Sequence, residues 1–149
     1  MAKFTGTIRA LTASDRKAWG PLWAGYLKFY KSTLPADVTE QTFKRLTGGL
    51  EPMFGLAAEL DGRLIGITHC IVHRATWARE SYVYLEDLFV APDVRNTGAG
   101  RALIEAVYAR AAALGADKVY WLTHETNETV RALYDRVAER SGFLHYQRR

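Results

Sequence analysis

The spacing of apolar residues along the first third of the chain predicts a strand followed by two helices. Residues 4–11 alternate weakly and predict a first strand, after which Ser14 or Asp15 supplies a helix N-cap. The next segment carries aromatic residues at helical spacing: Trp19, Trp23, Tyr26 and Tyr30. Residues 39–46 predict a second short helix that ends at the glycine pair 48–49.

The pattern then changes to that of strands. Residues 54–60 and 64–72 are apolar runs joined by Asp61-Gly62, a dipeptide typical of a two-residue hairpin turn. Residues 82–90 predict a further strand rich in β-branched and aromatic residues. It ends at Pro92, because proline cannot continue a strand ladder.

In the last third of the chain, predicted helices alternate with predicted strands. An apolar stripe predicts a helix that begins near Gly98 and stops at Gly115. A short strand over 119–122, a last helix capped by Asn127 and a final strand over 143–146 follow. The order β-α-α-β-β-β-α-β-α-β predicts a single α/β domain over residues 1–149, with hairpins in the middle of a mixed sheet.

Composition narrows the range of functions. The 149 residues carry 20 basic and 16 acidic side chains, a net charge of +4, without a Lys/Arg block typical of nucleic-acid binding. No stretch has the ~18 apolar residues of a membrane span, and no signal-peptide pattern is present at the start. We therefore expect a cytoplasmic protein that binds neither nucleic acid nor membrane. The single cysteine, Cys70, excludes an internal disulfide and a Cys-rich zinc site, and its apolar neighbours predict an inert thiol.

The segment 94–102 is the part of the chain most indicative of chemistry. It reads Val-Arg-Asn-Thr-Gly-Ala-Gly-Arg-Ala and lies between a predicted strand and a predicted helix. Glycines at the start of a helix let backbone N–H groups approach an anion, and the helix dipole favours negative charge there. A Walker loop is excluded because Arg101-Ala102 follows Gly100, and a dinucleotide fingerprint is excluded by Leu103. The remaining pattern, Arg-x-x-Gly-x-Gly, favours a phosphate-bearing ligand.

With the strand Leu85-Glu86-Asp87-Leu88-Phe89-Val90 before it and Asn127 to Tyr134 after it, this loop resembles that of the GCN5-related N-acetyltransferase (GNAT) superfamily, most closely the histone and polyamine acetyltransferases. The resemblance implies a mixed sheet of six to seven strands flanked by about four helices, with acetyl-CoA as cosubstrate and no metal. It also implies a homodimer, for which residues 143–146 are a plausible contact. The residues that the motif assigns to the CoA diphosphate are Arg95, Asn96, Thr97, Gly98, Ala99, Gly100 and Arg101.

The same resemblance assigns further residues to acetyl-CoA and to the reaction. Leu88 and Val90 match backbone positions that pair with pantetheine, and N–H groups near Phe89 or Val90 would polarise the thioester carbonyl. A bulge in this strand would free such a donor. Asn127 matches a cofactor-side asparagine. Tyr134 matches the tyrosine that protonates the leaving thiolate, although its place on an apolar stripe also fits a packing role.

An alkylammonium acceptor must lose a proton before it attacks, and a carboxylate can collect it. Strand alternation predicts Glu86 and Asp87 on opposite faces, so that only one faces the acceptor. By resemblance, Glu86 is the base, acting directly or through water, and Asp87 binds the cationic end of the substrate. A structural ion pair with a basic side chain is the alternative for either carboxylate. Trp23, Tyr26 or Tyr30 would contact the substrate.

Three functions remain open at this stage. The first is acetylation of a small amine, with a polyamine preferred. The second is acetylation of a peptide or protein amine or of an amino acid, whose carboxylate Arg74 or Arg79 would bind. The third is a non-catalytic acyl-CoA sensor. His69 and His73 share one strand face, but two histidines alone are weak evidence for a metal, and hydrogen bonding is the favoured interpretation.

Overall fold

The fold is one twisted sheet with helices on both faces, as described by a computed structural model of residues 3–149. The five strands lie in chain order, with the first four antiparallel and the fifth parallel to the fourth. They are β1 (Thr7–Ala10), β2 (Met53–Leu60), β3 (Arg63–His73), β4 (Tyr82–Val90) and β5 (Lys118–Tyr120). The helices are α1 (Arg16–Phe29), α2 (Ala36–Thr47), α3 (Ala99–Ala113) and α4 (Glu128–Val137). The predicted α/β class and mixed sheet are confirmed.

Two hydrophobic cores hold the layers together, one on each face of the sheet. Helices α1 and α2 cover one face, where Trp19 is fully buried with Phe43 and Ile67. Helix α3 covers the other face through Leu103, Ile104 and Val107, all fully buried. The stripe predicted for α3 lies on its buried face, whereas that of α1 is buried at Trp19 and Trp23 and becomes exposed by Tyr30.

The central hairpin forms at the predicted turn. Asp61 and Gly62 have φ of 52° and 75°, the left-handed conformation that a tight two-residue turn requires at both positions. β4 ends before Pro92, and α3 begins after Gly98, also as predicted. Among the described residues, no helix combines the length and the apolar character needed to cross a membrane.

Two expectations about the sheet are wrong. It has five strands rather than six to seven, and residues 143–146 form no strand. A strand needs a neighbouring edge for its N–H and C=O groups, and the segment after α4 pairs with none in the described structure. Its apolar side chains stay at least 80% exposed, at Phe143, Leu144 and Tyr146. The last helix ends at Val137, and Ala138 after it is extended.

Candidate active site

A bulge in β4 decides where the two carboxylates point. His69 pairs with Asp87 but Cys70 pairs with Leu85, so Glu86 is an extra residue without a partner on β3. Leu85 and Leu88 both pack into the core on the α3 side, whereas Phe89 packs on the α1 side. The two residues between these leucines therefore lie together on the α1 face. The predicted separation of Glu86 and Asp87 onto opposite faces is wrong, because strand alternation is interrupted at a bulge.

Beyond the bulge, β4 separates from β5. The two strands pair only from Tyr82–Lys118 to Tyr84–Tyr120, so the β5-side edge of β4 over residues 86–90 has no strand partner in the described chain. An unpaired edge offers backbone N–H and C=O groups to an extended ligand. On the β5 side of this opening, the Thr123 hydroxyl is buried and lacks a hydrogen-bond partner within residues 3–149. Both features fit the predicted pantetheine position along Leu88–Val90.

The loop before α3 presents a positive helix end to this opening. Gly98 is the N-cap with φ of 84°, and no side chain caps the helix or places an acidic group in its first turn. Asn96 is also left-handed, with φ of 69°, and the Thr97 hydroxyl donates to Val94 O at 2.9 Å. The first N–H groups of α3 therefore remain available, as a diphosphate requires.

The other predicted diphosphate residues contribute unequally in this geometry. Arg95 lies over the Phe89 ring at 5.8 Å, and its Nε donates to Val90 O at 3.3 Å, next to the opening. Arg101 pairs instead with Glu105 at 3.0 Å, one turn along α3. Ala99 is buried, so only its backbone can serve a ligand. At Gly100 an added Cβ would make only ordinary contacts, at 3.6 Å or more, so packing does not require glycine there.

Aromatic side chains of α1 wall the α1 face of the site. Tyr26 stacks on Trp23 at 5.6 Å and packs against Tyr30 at 5.0 Å. Trp23 is itself buried, with its indole donating to Thr39 Oγ1 at 3.1 Å, so it supports Tyr26 from behind. Helix α1 can approach β4 this closely because Gly25 has no side chain, as a Cβ there would lie 2.9 Å from the Phe89 ring.

Tyr134 brings α4 to the same site. Its ring packs on Trp121 at 5.2 Å, and burial, together with the nearby Tyr30 phenol, raises its pKa. The hydroxyl donates to no group of the described chain, so it is free to act on a ligand. Asn127 occupies the N-cap position of α4 as predicted, but its side chain makes no capping bond and is likewise free.

The electrostatics of the carboxylate pair are those of a proton acceptor beside an anion. Partial burial and the adjacent Asp87 charge raise the pKa of Glu86. The Tyr26 hydroxyl faces Asp87, and burial with this negative charge raises the pKa of Tyr26. Burial and the charge of the carboxylates also raise the pKa values of Tyr30 and Tyr84. The phenols thus stay protonated around two acidic groups.

His69 is the important residue of this site whose role the sequence did not reveal. It is 3% exposed, and its Nδ1 lies 2.8 Å from Asp87 Oδ2, while Trp19 Nε1 donates to its Nε2 at 3.0 Å. The expectation of hydrogen bonding rather than metal binding agrees with these contacts. Only the pairing of β3 with β4 shows that His69 faces Asp87, and single-sequence periodicity contains no such information.

The remaining polar candidates lie apart from this cluster. Arg74 binds the carbonyl and, at 3.4 Å, the carboxylate of Glu80, and Arg79 is exposed in the same loop. His73 bonds to Tyr120 through Nε2 at 2.7 Å. Cys70 is fully buried on the opposite face from His69, and burial raises the pKa of its thiol to about 12. The burial agrees with the predicted inert thiol, whose reactivity remains to be measured.

Comparison with known proteins agrees with this geometry. Residues 18–138 match the model of the acetyltransferase (GNAT) family. The chain is 37% identical over 143 residues to the D-amino-acid N-acetyltransferase HPA3 of Saccharomyces cerevisiae, covering 95% of this chain and 89% of that protein. It is 32% identical to the uncharacterized N-acetyltransferase YhfO of Bacillus subtilis, with 93% and 94% covered.

Solved structures share the fold at lower identity. The aminoglycoside acetyltransferase AAC(6')-Iy, solved with a CoA-based bisubstrate analogue, superposes with a TM-score of 0.83 at 20% identity, covering 97% of each chain. With an unpaired β4 edge, an uncapped α3 and a family match over most of its length, the chain belongs to the GNAT family of acetyl-CoA-dependent N-acetyltransferases.

Proposed function

We propose that the protein transfers the acetyl group of acetyl-CoA to the primary amine of a small cationic acceptor, with Glu86 as base and Tyr134 as acid. The observation that carries this proposal is the β4 bulge. It places Glu86 and Asp87 together on the α1 face, beside the unpaired edge that suits pantetheine. Acetyl-CoA supplies an activated thioester, and the residues of this chain bind it, orient the amine and move the protons.

Glu86 is suited to take the proton of the ammonium. An alkylammonium has a pKa near 10.4, so about one molecule in a few thousand is neutral at pH 7. A carboxylate whose pKa is raised by partial burial and by Asp87 is a better base than an ordinary one. Glu86 also remains open to solvent, so the proton can pass directly or through one water.

Tyr134 is suited to donate a proton to the thiolate that leaves in the reaction. Its raised pKa keeps the hydroxyl protonated at rest, so that it can donate a hydrogen bond to sulfur as negative charge develops there. Backbone N–H groups freed near the bulge, at Phe89 or Val90, would polarise the thioester carbonyl. Losing one such donor typically costs about a hundredfold in rate.

The acceptor class follows from charge. Two adjacent carboxylates among phenols favour a cation with a second positive group, and this supports the polyamine expected from the histone and polyamine branch. One observation favours an amino acid instead: the 37% identity to a D-amino-acid N-acetyltransferase. Of the two basic residues expected to bind an acceptor carboxylate, Arg74 donates to the Glu80 carbonyl, and Arg79 is exposed in the same loop.

Release of free thiol from acetyl-CoA tests both candidates in one experiment. The acceptors are diamines and polyamines, D- and L-amino acids, and a lysine peptide. We expect turnover with a polyamine, and loss of turnover in Glu86→Gln but not in the control Glu139→Gln, which alters an exposed carboxylate beyond α4. Turnover confined to amino acids would select the second candidate. CoA binding without release on any acceptor would identify a sensor and overturn the proposal.

We further propose that the protein forms a homodimer through residues 143–146. Phe143, Leu144 and Tyr146 are each at least 80% exposed, and contact with a second copy of the chain would bury them. Sedimentation velocity of the wild-type protein and of a variant with serine at these three positions tests this proposal. We expect a dimer that the substitutions dissociate, and a wild-type monomer at all concentrations would contradict it.

A further inference from the structure

We infer that His69 is a positioning residue for the acceptor site, holding Asp87 as an oriented and unneutralised anion that binds the ammonium of the substrate. This inference rests on the proposed function and adds to it a reason for the position and charge of Asp87. Hydrogen bonds connect three side chains, Trp19 on α1, His69 on β3 and Asp87 on β4, which we call the buried network.

The direction of each hydrogen bond in the buried network is fixed by chemistry. An indole N–H only donates, so Nε2 of His69 accepts from Trp19 at 3.0 Å. Nε2 then carries no hydrogen, and the hydrogen of the neutral ring is on Nδ1. Nδ1 donates it to Asp87 Oδ2 at 2.8 Å. A hydrogen on Nε2 would face the Trp19 N–H, so the two contacts fit the tautomer that carries its hydrogen on Nδ1.

A neutral donor orients a carboxylate without cancelling its charge. In the described part of the chain, Asp87 makes no ion pair with lysine or arginine, and the groups around it are Tyr26, Glu86 and His69. An arginine in place of His69 would satisfy the same oxygen but would neutralise the site. No cationic side chain of the described chain therefore neutralises Asp87 at 12% side-chain exposure, and a bound ammonium would complete its coordination.

Burial makes the orientation of Asp87 rigid. Trp19 is fully buried, stacks on Trp23 at 5.5 Å and lies 5.9 Å from the His69 ring. The backbone of Asp87 is held as well, since Thr68 Oγ1 donates to its carbonyl at 2.8 Å. The carbonyl and the carboxylate of Asp87 are thus both held by buried neighbours.

Steady-state kinetics with acetyl-CoA and a diamine test this role. His69→Leu removes the donor to Asp87, whereas His69→Asn keeps an N–H close to the position of Nδ1. Trp19→Phe keeps the ring but lets the imidazole hydrogen move to Nε2. Cys70→Ala is the matched control, because it truncates the neighbouring buried side chain on the opposite face of β3.

We expect His69→Leu to raise the KM for the diamine by about tenfold or more, with the KM for acetyl-CoA within about twofold of wild type. His69→Asn should recover most of the loss, and Trp19→Phe should be intermediate. If His69→Leu does not fold, the test is whether Trp19→Phe raises the diamine KM more than His69→Asn does.

Two results separate the possible failures. If the wild type is active and the His69 variants have the same diamine KM, the role of His69 is overturned but the proposed function is not. The same holds if their diamine KM rises only in proportion to their loss of thermal stability, as in Cys70→Ala. A wild type that transfers no acetyl group to any amine overturns the proposed function, and with it this role.

Discussion

Two aspartates of the chain have almost the same burial but opposite surroundings. The side chain of Asp15 is 10% exposed and receives two hydrogen bonds from the Arg9 guanidinium, at 2.8 and 2.9 Å. The side chain of Asp87 is 12% exposed, lies 2.8 Å from the His69 imidazole and faces the Tyr26 hydroxyl. Asp15 pairs with a guanidinium and joins β1 to the start of α1, whereas Asp87 pairs with no lysine or arginine of the described chain. The partner, rather than the residue type or the burial, distinguishes a structural carboxylate from the one that we propose binds a cation.

The strongest test of this contrast exchanges each aspartate for asparagine. Asp87→Asn should lower kcat/KM for a diamine by about a hundredfold, because the amide has no charge for the ammonium. Its thermal stability should change little, since the amide oxygen still accepts from His69. Asp15→Asn should leave the diamine KM unchanged and lower the free energy of unfolding by about 2 kcal/mol, the equivalent of its pKa shift. If kinetics and thermal melts show the same kind of loss in both variants, the proposed difference between the two aspartates is contradicted.

The same contrast holds for two tyrosines. The Tyr108 hydroxyl donates to Val137 O at 2.7 Å and fixes the end of α4, whereas Tyr134 donates to no described group. Tyr134→Phe should lower kcat by about 10- to 100-fold with stability retained, as expected for a lost proton donor. Tyr108→Phe should instead cost about 1 kcal/mol of stability, with kcat near wild type. Equal kcat in wild type and Tyr134→Phe across pH would show that Tyr134 only packs.

The pH dependence of activity sharpens the assignment of Glu86. Because burial and Asp87 raise its pKa, the acid limb of kcat/KM should lie above the usual carboxyl range. In Asp87→Asn the adjacent charge is gone, so the residual activity should show an acid limb moved to lower pH. An acid limb that stays in place would mean that Glu86 is not the group that titrates.

The pH dependence of stability tests Asp15. Its pKa is lowered from 3.8 to about 2, first by the bonds from Arg9, so folding favours the ionised form. The stabilisation is complete above pH 3.8 and is lost as pH falls toward 2. Denaturant unfolding of wild type and Asp15→Asn should therefore converge over this window. A difference that persists at pH 2 would contradict this account.

The smallest expected effect concerns Cys70. Burial raises the pKa of its thiol to about 12, so the native protein should react with iodoacetamide far more slowly than the unfolded protein. Acetyl transfer should survive the treatment. Rapid native labelling, followed by mass spectrometry, would show that β3 is open where the structure has it buried.

The sequence predicted most elements of the fold because each one buries a periodic stripe. The α1 aromatics, the Asp61-Gly62 turn and the end of β4 before Pro92 all follow local rules. The β4 bulge did not follow them, since it depends on how Cys70 and His69 align with a second strand. The final strand was expected from its apolar residues, but a strand also needs an edge to pair with.

The residues of the candidate site also divide into those that the sequence predicted and those that it did not. Glu86, Asp87, Tyr134 and the loop before α3 were predicted because each lies in a short segment whose neighbouring residues match a motif. His69 and Trp19 are 50 positions apart and meet only through the packing of α1 on β3. The common face of Glu86 and Asp87 was also missed, because alternation alone predicts opposite faces.

The account depends most on the binding of a CoA diphosphate at the uncapped start of α3, around Gly98. Isothermal titration of the purified protein with CoA, and with pantetheine, which lacks the diphosphate, measures this binding directly. The account predicts saturable heat with CoA, weakened by added salt, and far weaker binding of pantetheine. No heat with CoA at millimolar concentration, or equal affinity for both ligands, would contradict it.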